Sequence, residues 1–136
     1  MRCSFAILVV FLLLALTAAP LHAEQPADPA DKALELFAPS TDTRRAAIDF
    51  FVNRGREDAA PALILALRFT GDDKWLPAAL ETLTGAREGP DWGQWMLWQE
   101  AHPEIIPFSG FDAFQARLYR KIDENFGLFL IPAVAH

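Results

Sequence analysis

Apolar and polar positions in the middle of the chain follow the spacing of amphipathic α-helices. One apolar face begins after Ser40, a residue typical of helix N-caps, and ends at Gly55. Residues 59–69 are apolar nearly all round, which is typical of a helix covered on both sides. A third segment, ending at Gly85, repeats apolar residues at i, i+3, i+4 and i+7, namely Leu76, Ala79, Leu80 and Leu83. The short connections predict antiparallel neighbours in an all-α fold.

Weaker patterns predict shorter helices on either side of this region. A brief helix is expected over residues 31–37, stopped by Pro39. Asp91 is the expected N-cap of a helix that carries three tryptophans, and Ser109 is expected to cap the last helix. The apolar stripe of that last helix comprises Phe111, Phe114, Leu118 and Ile122.

The N-terminus has the order of a secretory signal peptide. Arg2 supplies a positive charge, residues 5–16 are apolar without a charge or a glycine, and Pro20 precedes the small residue Ala23. The alternative is an uncleaved anchor, but the apolar run is shorter than the roughly 20 residues of a membrane-spanning helix. We therefore expect cleavage after Ala23, export to the periplasm or beyond, and no membrane attachment afterwards.

Composition narrows the classes of partner. Removing Arg2 with the signal leaves 11 Lys+Arg against 18 Asp+Glu, so the net charge changes from −6 to −7. An acidic chain is a poor candidate for binding nucleic acid or anionic lipid. The one cysteine, Cys3, lies in the signal, so the mature protein is expected to have no disulfide and to depend on packing.

The chain also shows a weak internal repeat. Ala47, Ile48 and Phe51 match Ala79, Leu80 and Leu83 at an offset of 32 residues (79 minus 47). Helical-pair repeats have periods near this value, although the match covers few positions.

Residues 43–67 resemble a HEAT-type repeat, with an early arginine and small residues, a glycine turn and a proline-led second helix. The matching positions are Arg44, Ala46, Ala47, Gly55, Pro61, Leu63, Ile64, Ala66 and Leu67. Residues 83–98, with an L-T-G turn before Trp92, Trp95 and Trp98, are similar to the end of HEAT arrays in exported bacterial proteins.

Residues 95–129 are similar to a narrower group of exported bacterial proteins, in which a HEAT-like region precedes a larger domain of unknown function. The similar pieces are W-M-L-W, H-P-E, G-F-D-A-F and I-D-x-N-F. The resemblance implies a short α-solenoid of HEAT-like antiparallel helix pairs plus a C-terminal helix. It also implies that this chain is the front part of a larger protein whose following domain is missing. The expected divisions are a signal peptide (1–23), a lead-in with a short helix (24–39), HEAT-like repeats (40–102), and a C-terminal helix with an apolar tail (103–136).

The three tryptophans after Asp91 are the first candidate contact site. Trp92, Trp95 and Trp98 recur at i, i+3 and i+6 and share a broad helix face. One interpretation is an aromatic shelf that binds a sugar, a proline-rich peptide or a protein partner. The other is that these rings fill the space between the third helix and the C-terminal one, as large aromatics at helical spacing usually do.

A catalytic or metal site is not visible in the sequence. His102 and Glu104 could line a cleft of a ligand-binding or enzymatic accessory domain, which is the alternative function. The spacing of metal-ligating histidines is absent, and His102 is better placed as the end of a helix before Pro103. No nucleophile motif or phosphate loop occurs, so we expect neither catalytic residues, nor a metal, nor a cofactor.

The apolar segment 126–134 is the second candidate contact site. An exposed apolar run normally indicates a missing partner. Its candidate contact residues are Phe126, Phe129, Leu130 and Ile131. The expected occupant is the missing domain, a partner chain or a second copy in a homodimer. The alternative is that the segment folds back over its own helices. The sequence thus predicts an exported, non-catalytic scaffold for protein–protein or domain–domain contact.

Overall fold

The computed structural model describes residues 25–123. Within that range the chain is helical and contains no strand, which confirms the all-α prediction. No helix there is long and apolar enough to cross a membrane. The helices are α1 (Pro29–Glu35), α2 (Thr41–Arg54), α3 (Ala60–Thr70), α4 (Trp75–Thr84), α5 (Trp92–Ala101) and α6 (Phe111–Ile122), with a 3₁₀ turn at Glu57–Ala59 before α3.

Local capping fixes most helix ends where the sequence predicts them. The Ser40 hydroxyl accepts a hydrogen bond from the Thr43 backbone N–H at 3.3 Å, which satisfies a free donor at the start of α2. The Asp72 carboxylate accepts a hydrogen bond from the Trp75 backbone N–H at 2.8 Å, which satisfies a free donor at the start of α4. The helix α2 ends at Gly55, whose φ of 66° is the left-handed conformation that favours glycine.

Two helix starts differ from the prediction. The helix α1 begins at Pro29, before the expected position, because the Asp28 carboxylate caps the Ala30 backbone N–H at 3.0 Å. Ser109 does not cap α6, so that prediction is wrong. The N-cap is Gly110, which forms no side-chain cap bond, and the Phe111 N–H instead donates to the Phe108 carbonyl at 3.1 Å.

The helix α3 lies at the centre of the core. It packs against α4 and against α5, as expected for a helix that is apolar nearly all round. The helix α2 packs against α4 and α1, and α1 also packs against α6. Burial of this small core excludes water from closely packed aliphatic side chains, which is the main source of stability without a disulfide. Fully buried core residues include Phe51, Ala60, Leu63, Leu80, Trp95 and Phe114.

Phe108 ties the loop before α6 to the start of α3. It is buried, and its backbone N–H donates to the carbonyl of Asp58 at 3.2 Å. Its ring stacks with Phe51 at a centroid distance of 6.0 Å and lies 6.3 Å from Phe114 on α6. The Asp58 carboxylate is itself held by the Arg54 guanidinium at 2.9 Å. These contacts hold the loop before α6 against α2 and against the 3₁₀ turn that precedes α3.

Candidate functional site

Three helices enclose a cleft of about 200 Å³. Each helix contributes side chains that recur one turn apart and therefore lie on one face. The residues that line the cleft are Pro61, Ile64, Leu65 and Arg68 from α3, Trp92, Met96 and Gln99 from α5, and Phe111, Gln115 and Tyr119 from α6.

The apolar part of the cleft is continuous with the core. Pro61 and Ile64 are buried, whereas Leu65, Met96 and Phe111 are half-buried and pack against the core from the cleft side. These side chains can bind an apolar group, because methionine is flexible and adapts to its neighbour and an aromatic ring offers a large apolar surface.

The polar part of the cleft carries a cation and no carboxylate. The exposed Arg68 guanidinium lies 4.7 Å from the centroid of the Trp92 ring, within the range of a cation–π contact. Within residues 25–123, Arg68 forms no ion pair, and no Asp or Glu lines the cleft. The Gln99 and Gln115 amides add neutral donors and acceptors.

The indole N–H of Trp92 is the one buried side-chain polar atom in the described part of the chain that has no hydrogen-bond partner. A buried donor without an acceptor costs about 1–3 kcal/mol, so native proteins keep few of them. Indole nitrogen is a donor only, which means that just an acceptor could satisfy it.

The structure separates the three tryptophans of α5. Trp95 is 0% exposed, and its Nε1 donates to the Gly89 carbonyl at 2.7 Å. Its prediction as a partner-binding residue is wrong, because a fully buried ring presents nothing to a partner, and the core-filling interpretation holds for it. Trp92 lines the cleft. Trp98 is half-buried and packs edge-on against Trp95, with ring centroids 5.7 Å apart.

His102 ends α5, as the sequence predicts. Its Nδ1 lies 2.6 Å from the Trp98 carbonyl oxygen, and its ring stacks on Trp98 at 4.4 Å. Glu104 is exposed, and neither residue lines the cleft. Within residues 25–123 there is no cluster of three or more His, Cys, Asp or Glu side chains that could hold a metal ion.

The second predicted contact site, Phe126, Phe129, Leu130 and Ile131, lies outside the described residues. Conversely, sequence reasoning missed Arg68, Gln99 and Gln115 as cleft residues. For Gln99 and Gln115 the sequence does contain a usable signal. Gln99 lies seven residues after Trp92, and Gln115 lies four residues after Phe111, so each amide shares a helix face with an aromatic ring.

Comparison of the chain with protein-family models, with curated proteins and with solved structures finds no match. The resemblance to HEAT-like repeats therefore stays a prediction, and function must be argued from the cleft itself.

Proposed function

We propose that this chain is an exported, non-catalytic helical-repeat scaffold that contacts a protein partner or an attached domain. The proposal includes removal of residues 1–23 and a role as the N-terminal part of a larger protein. The cleft on α3, α5 and α6 is the contact surface in the described part of the chain.

The proposed solenoid consists of two stacked pairs, α2 with α3 and α4 with α5. Support for it comes from contacts between the pairs and not from contacts within them. The helix α2 packs against α4, α3 packs against α5, and the most extensive packing joins α3 to α4. The α5 start at Trp92 also lies 32 residues after the α3 start at Ala60 (92 minus 60), the same offset as the sequence repeat. Stacked repeats of this kind use extended faces for binding.

The observation that carries the contact function is the unpartnered Trp92 N–H beside an unpaired arginine. A purely structural helix end satisfies its polar groups, as Trp95 does through the Gly89 carbonyl. In the part of the chain that the structure describes, this surface keeps an unbonded donor and a cation without a carboxylate, which suits it to an external group that supplies a charged acceptor. The half-buried Trp98 and the tail residues 126–131 are further proposed contact residues.

Site-specific photo-crosslinking in cells that produce the protein tests this function. A benzophenone amino acid replaces Gln99 or Gln115 in the cleft, and Asp49 on the exposed side of α2 serves as the control. We expect one defined crosslinked product from the two cleft positions and none from the control position. Equal yields at Gln99 and Asp49, or no product at either cleft position, would remove the cleft as a contact surface.

A further inference from the structure

We propose that the cleft binds a side-chain carboxylate of the partner, an aspartate or a glutamate next to an apolar residue. This inference rests on the proposed contact function and adds the chemistry that the partner must supply.

Charge complementarity is the first argument. The chain as a whole is acidic, with a net charge of −6, yet among residues 25–123 the cleft is lined by Arg68 and by no carboxylate. Arginine binds carboxylates through paired N–H donors in a planar fork, and such charge-assisted bonds are stronger than neutral ones. The guanidinium carbon of Arg68 lies 4.7 Å from the Trp92 ring centroid and 5.4 Å from that of Phe69, and these two contacts leave its charge without a carboxylate partner among the described residues.

The unpartnered indole is the second argument. The N–H of Trp92 can donate but cannot accept, and the guanidinium carbon of Arg68 lies 4.7 Å from the centroid of the same ring, so an acceptor that reaches this N–H would lie near a positive charge. The Trp92 Nε1 is covered in the free protein, and an incoming oxygen reaches it only after wall side chains move. Met96 and Gln99 line the same cleft and are unbranched and flexible, and the proposal requires that such side chains move when the partner binds.

The size of the cleft sets the length of the bound segment. A volume of about 200 Å³ is below that of a typical drug-sized pocket, roughly 300–1,000 Å³. It suits one acidic side chain with one apolar neighbour, whose methyl groups would pack on Ile64, Leu65 and Met96.

Two blocked dipeptides test the inference. N-acetyl-leucyl-glutamyl amide carries the carboxylate, and N-acetyl-leucyl-glutaminyl amide has nearly the same shape without the charge. Each is titrated into the ¹⁵N-labelled protein, and the indole N–H signals of the four tryptophans are followed by NMR. The Trp92→Phe variant assigns the signal of Trp92.

We expect the glutamyl peptide to bind about tenfold more tightly than the glutaminyl peptide and to shift the Trp92 indole proton downfield. Arg68→Gln should abolish this preference. Arg120→Gln removes the same charge from an exposed position outside the cleft and should leave the preference unchanged.

Equal binding of the two peptides would overturn the inference, and so would a Trp92 signal that neither peptide moves up to its solubility limit. Because the peptide comparison uses the wild-type chain, its result does not depend on the folding of any variant. If Gln99 crosslinks to a partner but the two peptides bind equally, the contact function is supported and only the inference of a carboxylate ligand is refuted. If no crosslinked product forms and neither peptide binds, the contact function is refuted as well.

Discussion

Replacing Trp92 by phenylalanine should change the stability of the protein little, although the residue is a half-buried tryptophan beside the core. The change deletes the unpartnered indole N–H and keeps an aromatic ring in place. The matched control is Trp95→Phe, three residues later on the same helix, where the N–H is bonded to Gly89 and the ring is 0% exposed.

Opposing contributions determine the expected magnitude at Trp92. Deleting a buried donor without a partner gains about 1–3 kcal/mol. Loss of part of the half-exposed indole costs about 1 kcal/mol of apolar burial, and weakening the contact with Arg68 costs about 0.5–1 kcal/mol. The sum of these contributions lies between a loss of about 1 and a gain of about 1.5 kcal/mol, so the free energy of unfolding should change little. Trp95→Phe should lower it by about 2–4 kcal/mol, because it leaves a cavity and breaks a hydrogen bond.

Urea unfolding followed by circular dichroism measures both changes. The transition midpoint of Trp92→Phe should stay close to that of the wild type, whereas the midpoint of Trp95→Phe should fall clearly, with unchanged slopes. A loss of stability in Trp92→Phe as large as that in Trp95→Phe would refute the reasoning, since the indole N–H would then have an acceptor in the folded protein.

Three further predictions concern the core, the tail and the N-terminus. Phe51→Ala should lower the free energy of unfolding by about 3–5 kcal/mol in the same urea assay, because the ring is 0% exposed; a loss below about 1 kcal/mol would contradict the packing described here. Phe129→Asp should weaken association with a partner or a second copy, measured as particle mass by light scattering, whereas Ala135→Asp should not. Equal masses for the two variants would refute the tail as a contact segment. Mass spectrometry of the exported protein should find Glu24 as its first residue, and an intact N-terminus would refute cleavage.

The helices could be predicted from the sequence because their signals are local. Ser40 caps a donor three residues away, and Gly55 adopts a conformation that costs other residues more. The predicted apolar stripe that begins at Leu76 is confirmed for the same reason, since helical spacing alone decides which side chains share a face.

The cleft could not be predicted, because it depends on three helices that are distant in the chain. Periodicity identifies an apolar face of α3 and an apolar face of α6. It does not predict that these two faces line a cleft next to Arg68 and do not pack directly against each other. The start of α6 shows the same limit. Ser109 has the chemistry of a cap, yet the bond between the Phe108 N–H and the Asp58 carbonyl fixes the approach of the chain, and Gly110 becomes the N-cap.

Hydrogen–deuterium exchange on the purified protein with its crosslink-identified partner tests the central claim most directly. Binding at the cleft should slow amide exchange in residues 61–68, 92–99 and 111–119, which line it, and leave the exposed first turns of α2 unchanged. Slower exchange confined to residues 41–46, with no change in the three cleft segments, would contradict the proposal that this cleft is the contact surface.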